Sequence, residues 1–259
     1  MEGIGIDDIL ASVDRGDISS PEATAVDHQQ LTRFWVAERA VPELLPWPGA
    51  LMDRMMERVS KQISRIEDLS MAAADPLSPE NNNQNKPTLN LKLSIMQSDL
   101  ARTQYIIRSI LRQRLSKLIK YSIYYLRITM NQQSQQPQTP AGADAASFLS
   151  EKELQFLRGH QSLLTTHYNV SFLSTFPANL KRLDDNVGGT NMVVAPENKE
   201  VVFVRCLSDE ARIVIPALEG EEGMAGLERY GGRMAREEVW VVRWEGVKDA
   251  WKRGDVEVL

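Results

Sequence analysis

NLKLSIMQSDLARTQYIIRSILRQRLSKLIKYSIYYLR, residues 90–127, contains neither Gly nor Pro, and its apolar residues recur at the period of a helix, not of a strand. At about 100° per residue Met96, Leu100, Ile107, Leu111 and Leu118 fall on one line, and Leu93, Ile106, Ile110 and Leu115 widen that line to roughly half the circumference. The spacing predicts one long helix from Leu89 to Leu126. A helix on the surface of one small domain needs a narrower stripe. The segment is therefore either the central helix of its own bundle or a helix partly covered by another chain.

Charges on the same helix sharpen the choice. Arg102, Arg108, Arg112 and Lys120 project from the polar side, with Asp99 the one acid near them. Arg114 and Lys117 fall inside the apolar arc, where a buried cation without a partner costs several kcal/mol. They must snorkel to water or meet carboxylates that this segment lacks. A basic helix can also contact phosphates, but DNA binding needs a coherent positive field and the chain carries a net charge of −5. Protein–protein packing ranks first. A nucleic-acid-binding adaptor acting through the basic face of this helix is the alternative.

The chain has 259 residues, 42% hydrophobic and 25% charged, enough for one large or two modest globular domains. No segment reaches the roughly 18 uninterrupted apolar residues of a membrane span, and the N-terminus is no cationic signal peptide, so a soluble protein with no membrane partner is expected. The single Cys206 excludes an intrachain disulfide, as suits a reducing compartment.

In chain order, residues 1–26 read as a disordered acidic arm apart from GIGIDDILASV. There Ile6, Ile9, Leu10 and Val13 make one apolar face over two turns, and Asp7 and Asp8 suit the positive end of the helix dipole. A helix this short is marginal alone; it either docks in a groove of a partner or folds back on its own domain. A helical domain is expected over 27–183. Its first helix starts near Asp27, which with Gln30 can form a capping box, and ends at Val41 and Pro42. PELLPWPGAL then makes a rigid corner plugged by Leu44, Leu45 and Trp47. A second helix from Pro48 to about Ala73 carries a stripe of Met52, Met55, Met56, Val59, Ile63 and Ile66. Polar insertions at 75–88 and 131–146 flank the central helix. A fourth helix begins at Ser150, boxed by Glu153, with Leu154, Leu157, Leu164 and Tyr168 on one side. A shorter one follows with Phe172, Leu173, Phe176, Leu180 and Leu183. After a linker over 184–198, around Gly188 and Gly189, the period changes. VVFVRC, RIVI, EVWVVRW and DVEVL predict a small all-β domain over 199–259. The fold class is thus multidomain α then β, a helical bundle followed by a small all-β domain, whose thin core suggests that it leans on another surface.

Catalytic signatures are missing: no glycine-rich phosphate loop, no GxSxG, no HExxH and no paired-Cys metal site. His160 and His167 share a helix face but stand about 10 Å apart by helical rise, too far for one metal. Asp184, Asp185, Glu221 and Glu222 read as solvated linker and loop residues. No cofactor and no catalytic residue is expected.

Three segments, LTRFWVAERAVPELLPW, LKLSIMQSDLARTQYIIRSILRQRLSKLIKYSIYYLR, and GGTNMVVAPENKEVVFVRC with VWVVRWEGVKDAWKRGDVEVL, resemble the Sld-five-type subunits of GINS, the eukaryotic replication complex. The resemblance spans about Leu31 to Leu259 apart from the insertions. It implies a non-catalytic subunit in a heterotetramer with three paralogous chains, acting in the nucleus within the CMG replicative helicase beside a Cdc-type factor and the MCM ring, with DNA touched at most indirectly. Sister chains would then cover the long helices. The residues expected at those interfaces are Trp35, Leu44, Leu45, Met96, Leu100 and Ile107, with Leu111, Arg114, Lys117, Leu118, Tyr124 and Tyr125. The arm segment GIDDIL is similar to the short helical peptides by which fungal replisome proteins dock on a trimeric β-propeller hub of the Ctf-four type. On that reading Ile6, Ile9 and Leu10 enter the groove, and Asp7 and Asp8 orient the peptide.

Overall fold

The computed structural model describes residues 21–74, 86–135, 148–177, 181, 192–215 and 230–259. Helices come first: α1 (Pro21–Ala40), α2 (Gly49–Ala74), α3 (Lys86–Lys120), α4 (Ser122–Gln135) and α5 (Glu151–Ser171), followed by a 3-10 turn, Leu173–Thr175. The C-terminal part holds β1 (Val201–Cys206), β2 (Glu210–Ile215), β3 (Tyr230–Ala235), β4 (Val239–Arg243), α6 (Trp244–Arg253) and β5 (Val256–Val258). This is the expected order, a helical bundle and then a small antiparallel sheet domain. By contacts the chain divides into two compact units, residues 1–35 with 48–110 and residues 36–47 with 111–259. The arm patch at Ile6, Asp7, Asp8, Ile9 and Leu10, most of both polar insertions, and Leu180, Leu183, Gly188 and Gly189 lie outside the described residues.

Several boundaries differ from the sequence reading. α1 starts at Pro21, not near Asp27, because Pro is preorganised for a first helical position and Glu22, Ala23 and Ala25 continue the helix well. Asp27 is therefore no cap. The single long helix becomes two at Tyr121, although the hydrogen-bond ladder runs through it, Tyr121 N–H to Lys117 at 2.9 Å and Tyr125 N–H to Tyr121 at 3.1 Å. Helix also extends into both predicted insertions, from Lys86 at the end of the first and to Gln135 at the start of the second. The short helix after α5 shrinks to one 3-10 turn among the described residues.

In the first unit, α2 buries Met52, Met55 and Val59 as its stripe predicts, while Met56 and Ile63 stay exposed. Asp27 holds two cations of α2: Arg54 donates to it at 3.1 and 2.8 Å, and Arg58 pairs with it at 2.9 Å. The Arg54 guanidinium keeps the Asp27 carboxyl below the usual range, against the opposing effect of burial. Gln62 of α2 donates to the Met96 carbonyl at 3.0 Å and to Asp99 at 3.2 Å, fixing the register of α2 on α3.

The second unit is built on Arg114, whose side chain is 0% exposed. Its Nε and Nη2 donate to the two oxygens of Glu153, at 2.6 and 3.0 Å, as a bidentate fork. Nη1 donates to Glu38 at 3.2 Å and to the Leu45 carbonyl at 2.7 Å, and the guanidinium lies 5.1 Å from the centre of the Trp47 ring. Lys117 reaches Glu38 at 2.8 Å and the Glu43 carbonyl at 2.9 Å. Both cations thus meet carboxylates of their own chain, far away in sequence. Glu153 also closes the expected capping box at the start of α5, where Ser150 Oγ accepts from the Glu153 N–H at 3.2 Å and Ser150 N–H donates to the carboxylate at 2.9 Å. Around this centre Leu44, Leu118, Tyr121, Tyr125, Leu149 and Leu157 form a core. Tyr125 Oη accepts the Leu44 N–H at 2.9 Å, and burial pushes its phenol well above the ordinary range, so it stays neutral there.

The C-terminal domain has a three-stranded antiparallel sheet in the order β4-β1-β5 and a separate antiparallel pair, β2 with β3. The main register sets Phe203 opposite Val241 and Arg205 opposite Glu257. Among the described residues of this domain lies one helix, α6, where the strand pattern alone was expected. Trp244, Val247 and Ala250 are its buried side, and Gly254, at φ 80°, ends it by giving its N–H to Ala250 and Trp251.

Removing the Arg114 guanidinium leaves Glu38 and Glu153 buried without a counter-charge, so Arg114→Met is expected to destabilise the chain by about 3–5 kcal/mol in urea denaturation. Asp27 is the opposite case with respect to pH. Because its folded pKa is depressed, its contribution is present at neutral pH and is lost as the pH falls below the ordinary carboxylate range. Asp27→Asn should weaken the fold by about 1–3 kcal/mol at pH 7, and melts repeated at stepwise lower pH should show the gap to the parent closing.

Candidate assembly interface

The residues expected at sister-chain interfaces separate into two groups. Leu44, Leu45, Ile107, Arg114, Leu118 and Tyr125 are buried within the chain. Their side chains complete this polypeptide's own interior, and no cation is stranded at Arg114 or Lys117. Trp35, Met96, Leu100, Lys117 and Tyr124 are half-buried, with Trp35 edge-on to Tyr105 at 6.4 Å. Leu111 is exposed. The wide arc read from the sequence divides accordingly. Ile107, Ile110, Arg114, Leu118 and Tyr121 are its buried line, and Leu111, Leu115 and Ile119, at successive turns, remain as an exposed flank.

Apolar surface of equal weight lies where the sequence reading did not look. On α5, Phe156, Leu163 and Val170 are spaced by seven residues and point outward, Leu163 68% and Val170 80% exposed. A seven-residue repeat drifts by only about 20° per step, so the three make one seam. The inner side of the helix holds Glu153 and Leu157. Gly159 stands beside the seam with no atom within 4 Å of where a Cβ would be, which leaves an open notch between Phe156 and Leu163. Phe172 and Phe176 continue the exposed apolar surface past the helix end.

The sheet shows a second such face. Along β1 the side chains alternate, with Val202, Val204 and Cys206 inward and Val201, Phe203 and Arg205 outward. Across the ladder Val239 and Val241 of β4 are exposed beside them, Phe203 at 56% and Val241 at 57%. An ion pair between Arg205 and Glu257 of β5 closes one edge of this patch. A strand with one solvated face normally alternates apolar and polar residues; VVFVRC is apolar on both. That was the available signal in the sequence, as was the period of seven on α5.

Groups with chemical potential do not converge. Cys206 is buried, with Sγ 3.2 Å from the Ser208 carbonyl. His160 stacks on Phe156 at 5.8 Å, and the His167 ring lies tilted against Tyr168 at 5.9 Å. Among the described residues no three His, Cys, Asp or Glu stand where they could hold a metal ion, and no helix is long and apolar enough to cross a membrane.

If the sheet patch is a surface and not a core, Phe203→Glu should leave the unfolding free energy in urea within about 0.5 kcal/mol of the parent. Val204→Glu, one residue on and fully buried, should cost several kcal/mol and collapse the near-ultraviolet signal of Trp244.

Comparison with known proteins agrees with this architecture in both parts. The family described as the GINS complex protein helical bundle domain matches residues 64–172, and the one described as the DNA replication complex GINS protein SLD5 C-terminus matches residues 196–259. The protein named DNA replication complex GINS protein SLD5 from Chaetomium globosum is 33% identical over 98% of this chain and 99% of its own length. Its namesake from Saccharomyces cerevisiae is 33% identical over 69% of this chain and 58% of its own length. That from Schizosaccharomyces pombe is 27% identical over 90% and 92%. With both domains matched in order and a relative aligned almost end to end, the chain belongs to the SLD5 family of GINS complex proteins.

Proposed function

We propose that this chain is a non-catalytic structural subunit of a heterotetrameric GINS complex, assembled with three paralogous chains. In the nucleus it forms part of the CMG replicative helicase, with a Cdc-type helicase factor and the MCM ring, and serves initiation and elongation of chromosomal DNA replication. The observation that carries this reading is the pair of outward apolar faces, the α5 seam and the Phe203–Val241 sheet patch. Contiguous apolar faces of this kind mark surfaces that another protein covers, and permanent subunit interfaces bury roughly 2,000–5,000 Å². The names of the relatives, all proteins of a DNA replication complex, supply the kind of assembly. Sister chains then meet the seam, the sheet patch and the Leu111 flank, while Arg114 and the core around it hold those faces in shape. The N-terminal peptide around Ile6, Asp7, Asp8, Ile9 and Leu10 docks on a trimeric hub of the Ctf-four type, and DNA contact is indirect.

Co-expression with the three paralogues tests the proposal. The expected result is one species of four chains in size exclusion, with the chain alone aggregated or self-associated. The double change Leu163→Glu and Val170→Glu should release this subunit from the assembly without altering its helical circular dichroism. A monodisperse monomer at micromolar concentration, or an assembly indifferent to those two changes and to Phe203→Glu, would refute it. Tight DNA binding with a steep salt dependence, lost on Arg108→Glu with Arg112→Glu, would favour the nucleic-acid adaptor instead.

A further inference from the structure

The segment joining α1 to α2 is held on two sides. Val41, Pro42, Glu43, Leu44 and Leu45 are all buried, although nothing in this stretch is helix or strand. On one side its backbone is held by the ionic centre. The Glu43 carbonyl accepts from Lys117 at 2.9 Å, the Leu45 carbonyl from Arg114 at 2.7 Å, and the Leu45 N–H donates to Glu38 at 3.3 Å. On the other side the Glu43 carboxylate reaches the C-terminal domain. Oε1 accepts from the indole N–H of Trp244 at 2.8 Å, and Oε2 pairs with Lys248 at 2.7 Å. One residue thus faces α3 with its main chain and α6 with its side chain.

Around this junction the apolar packing is incomplete. A cavity of about 310 Å³ opens between the strap, α4 and α6, and its walls include Leu45, Tyr124, Ile128, Phe148 and Trp251. Beside this pocket the charged hydrogen bonds of Glu43 bridge the strap to α6. Trp244 is 0% exposed, and without Glu43 its indole N–H would be a buried donor with no acceptor.

We propose that the Val36–Trp47 strap is a latch that couples the docking of the C-terminal domain to the buried Arg114–Glu38–Lys117 centre. Loosening the centre frees the strap backbone, the Glu43 carboxylate drifts, and α6 loses its anchor. In the other direction, release of α6 leaves the strap held on one side only. The sheet patch moves with α6, so its position relative to α5 depends on Lys117 of α3, whose hydrogen bonds go to Glu38 and to the Glu43 carbonyl.

Hydrogen exchange by mass spectrometry on the full chain, in its co-expressed assembly, tests the latch. Lys117→Met is expected to speed exchange over residues 244–258 roughly tenfold or more, as loss of a charged hydrogen bond predicts for local opening. Lys248→Met should speed exchange over residues 41–47 by a similar factor. Arg54→Gln, in the other compact unit, should change neither. If Lys117→Met alters only the strap and α3 while residues 244–258 keep the parent rate, the coupling is refuted. It is equally refuted if Glu43→Gln leaves residues 244–258 unchanged. Should Glu43→Gln lose protection throughout the chain, the reciprocal effects of Lys117→Met and Lys248→Met decide.

Discussion

A guanidinium with no exposed surface cannot be left to itself, and the second compact unit is arranged around the need to answer Arg114. Its planar fork takes both oxygens of Glu153 from α5, while Nη1 donates to Glu38 of α1 and to the Leu45 carbonyl. Three elements distant in sequence are thereby fixed at one point with defined angles. A hydrophobic contact of the same size has no such angular preference. Buried ion pairs add little net stability compared with apolar residues of similar shape. Their effect here is geometric: α1, α3 and α5 have one mutual arrangement in which all the charges are met.

That arrangement explains which parts of the fold could be read in advance. The long helix was legible because its apolar period persists without Gly or Pro, and the start of α5 because Ser150 and Glu153 carry the spacing of a capping box. The partners of Arg114 were not. A sequence shows that a cation falls in an apolar arc, but Glu38 lies 76 residues before it and Glu153 lies 39 after, and no local pattern links them. Part of the apolar surface of α3 is consumed inside the chain; the outward share is divided among a flank of α3, the seam on α5 and the face of β1 with β4. α6 escaped notice because the strand run of β4 leads straight into it. The spacing of Trp244, Val247, Ala250 and Trp251, the basic last turn and Gly254 were the signals for it.

The C-terminal domain shows how a thin sheet is made rigid. Val202, Val204, Cys206 and Val256 are the buried side of its strands, and Trp244, Val247 and Ala250 that of α6. Trp244, fully buried at the head of α6, meets Trp251 edge-on at 5.9 Å and gives its indole N–H to Glu43 of the strap. This places the outward sheet patch on a support with defined orientation, which a large interface requires if several chains are to close on one another.

The bare rung at Gly159 has a consequence of its own. Bumps repeated every seven residues, about 10 Å along the axis, would let a neighbouring rod slide by one repeat and find nearly the same fit. The missing side chain breaks that translational likeness, since a knob shaped for the notch has no second place to sit once displaced. Glycine weakens the helix by about 1 kcal/mol relative to alanine, and what α5 gains in exchange is a reading frame for whatever lies along it.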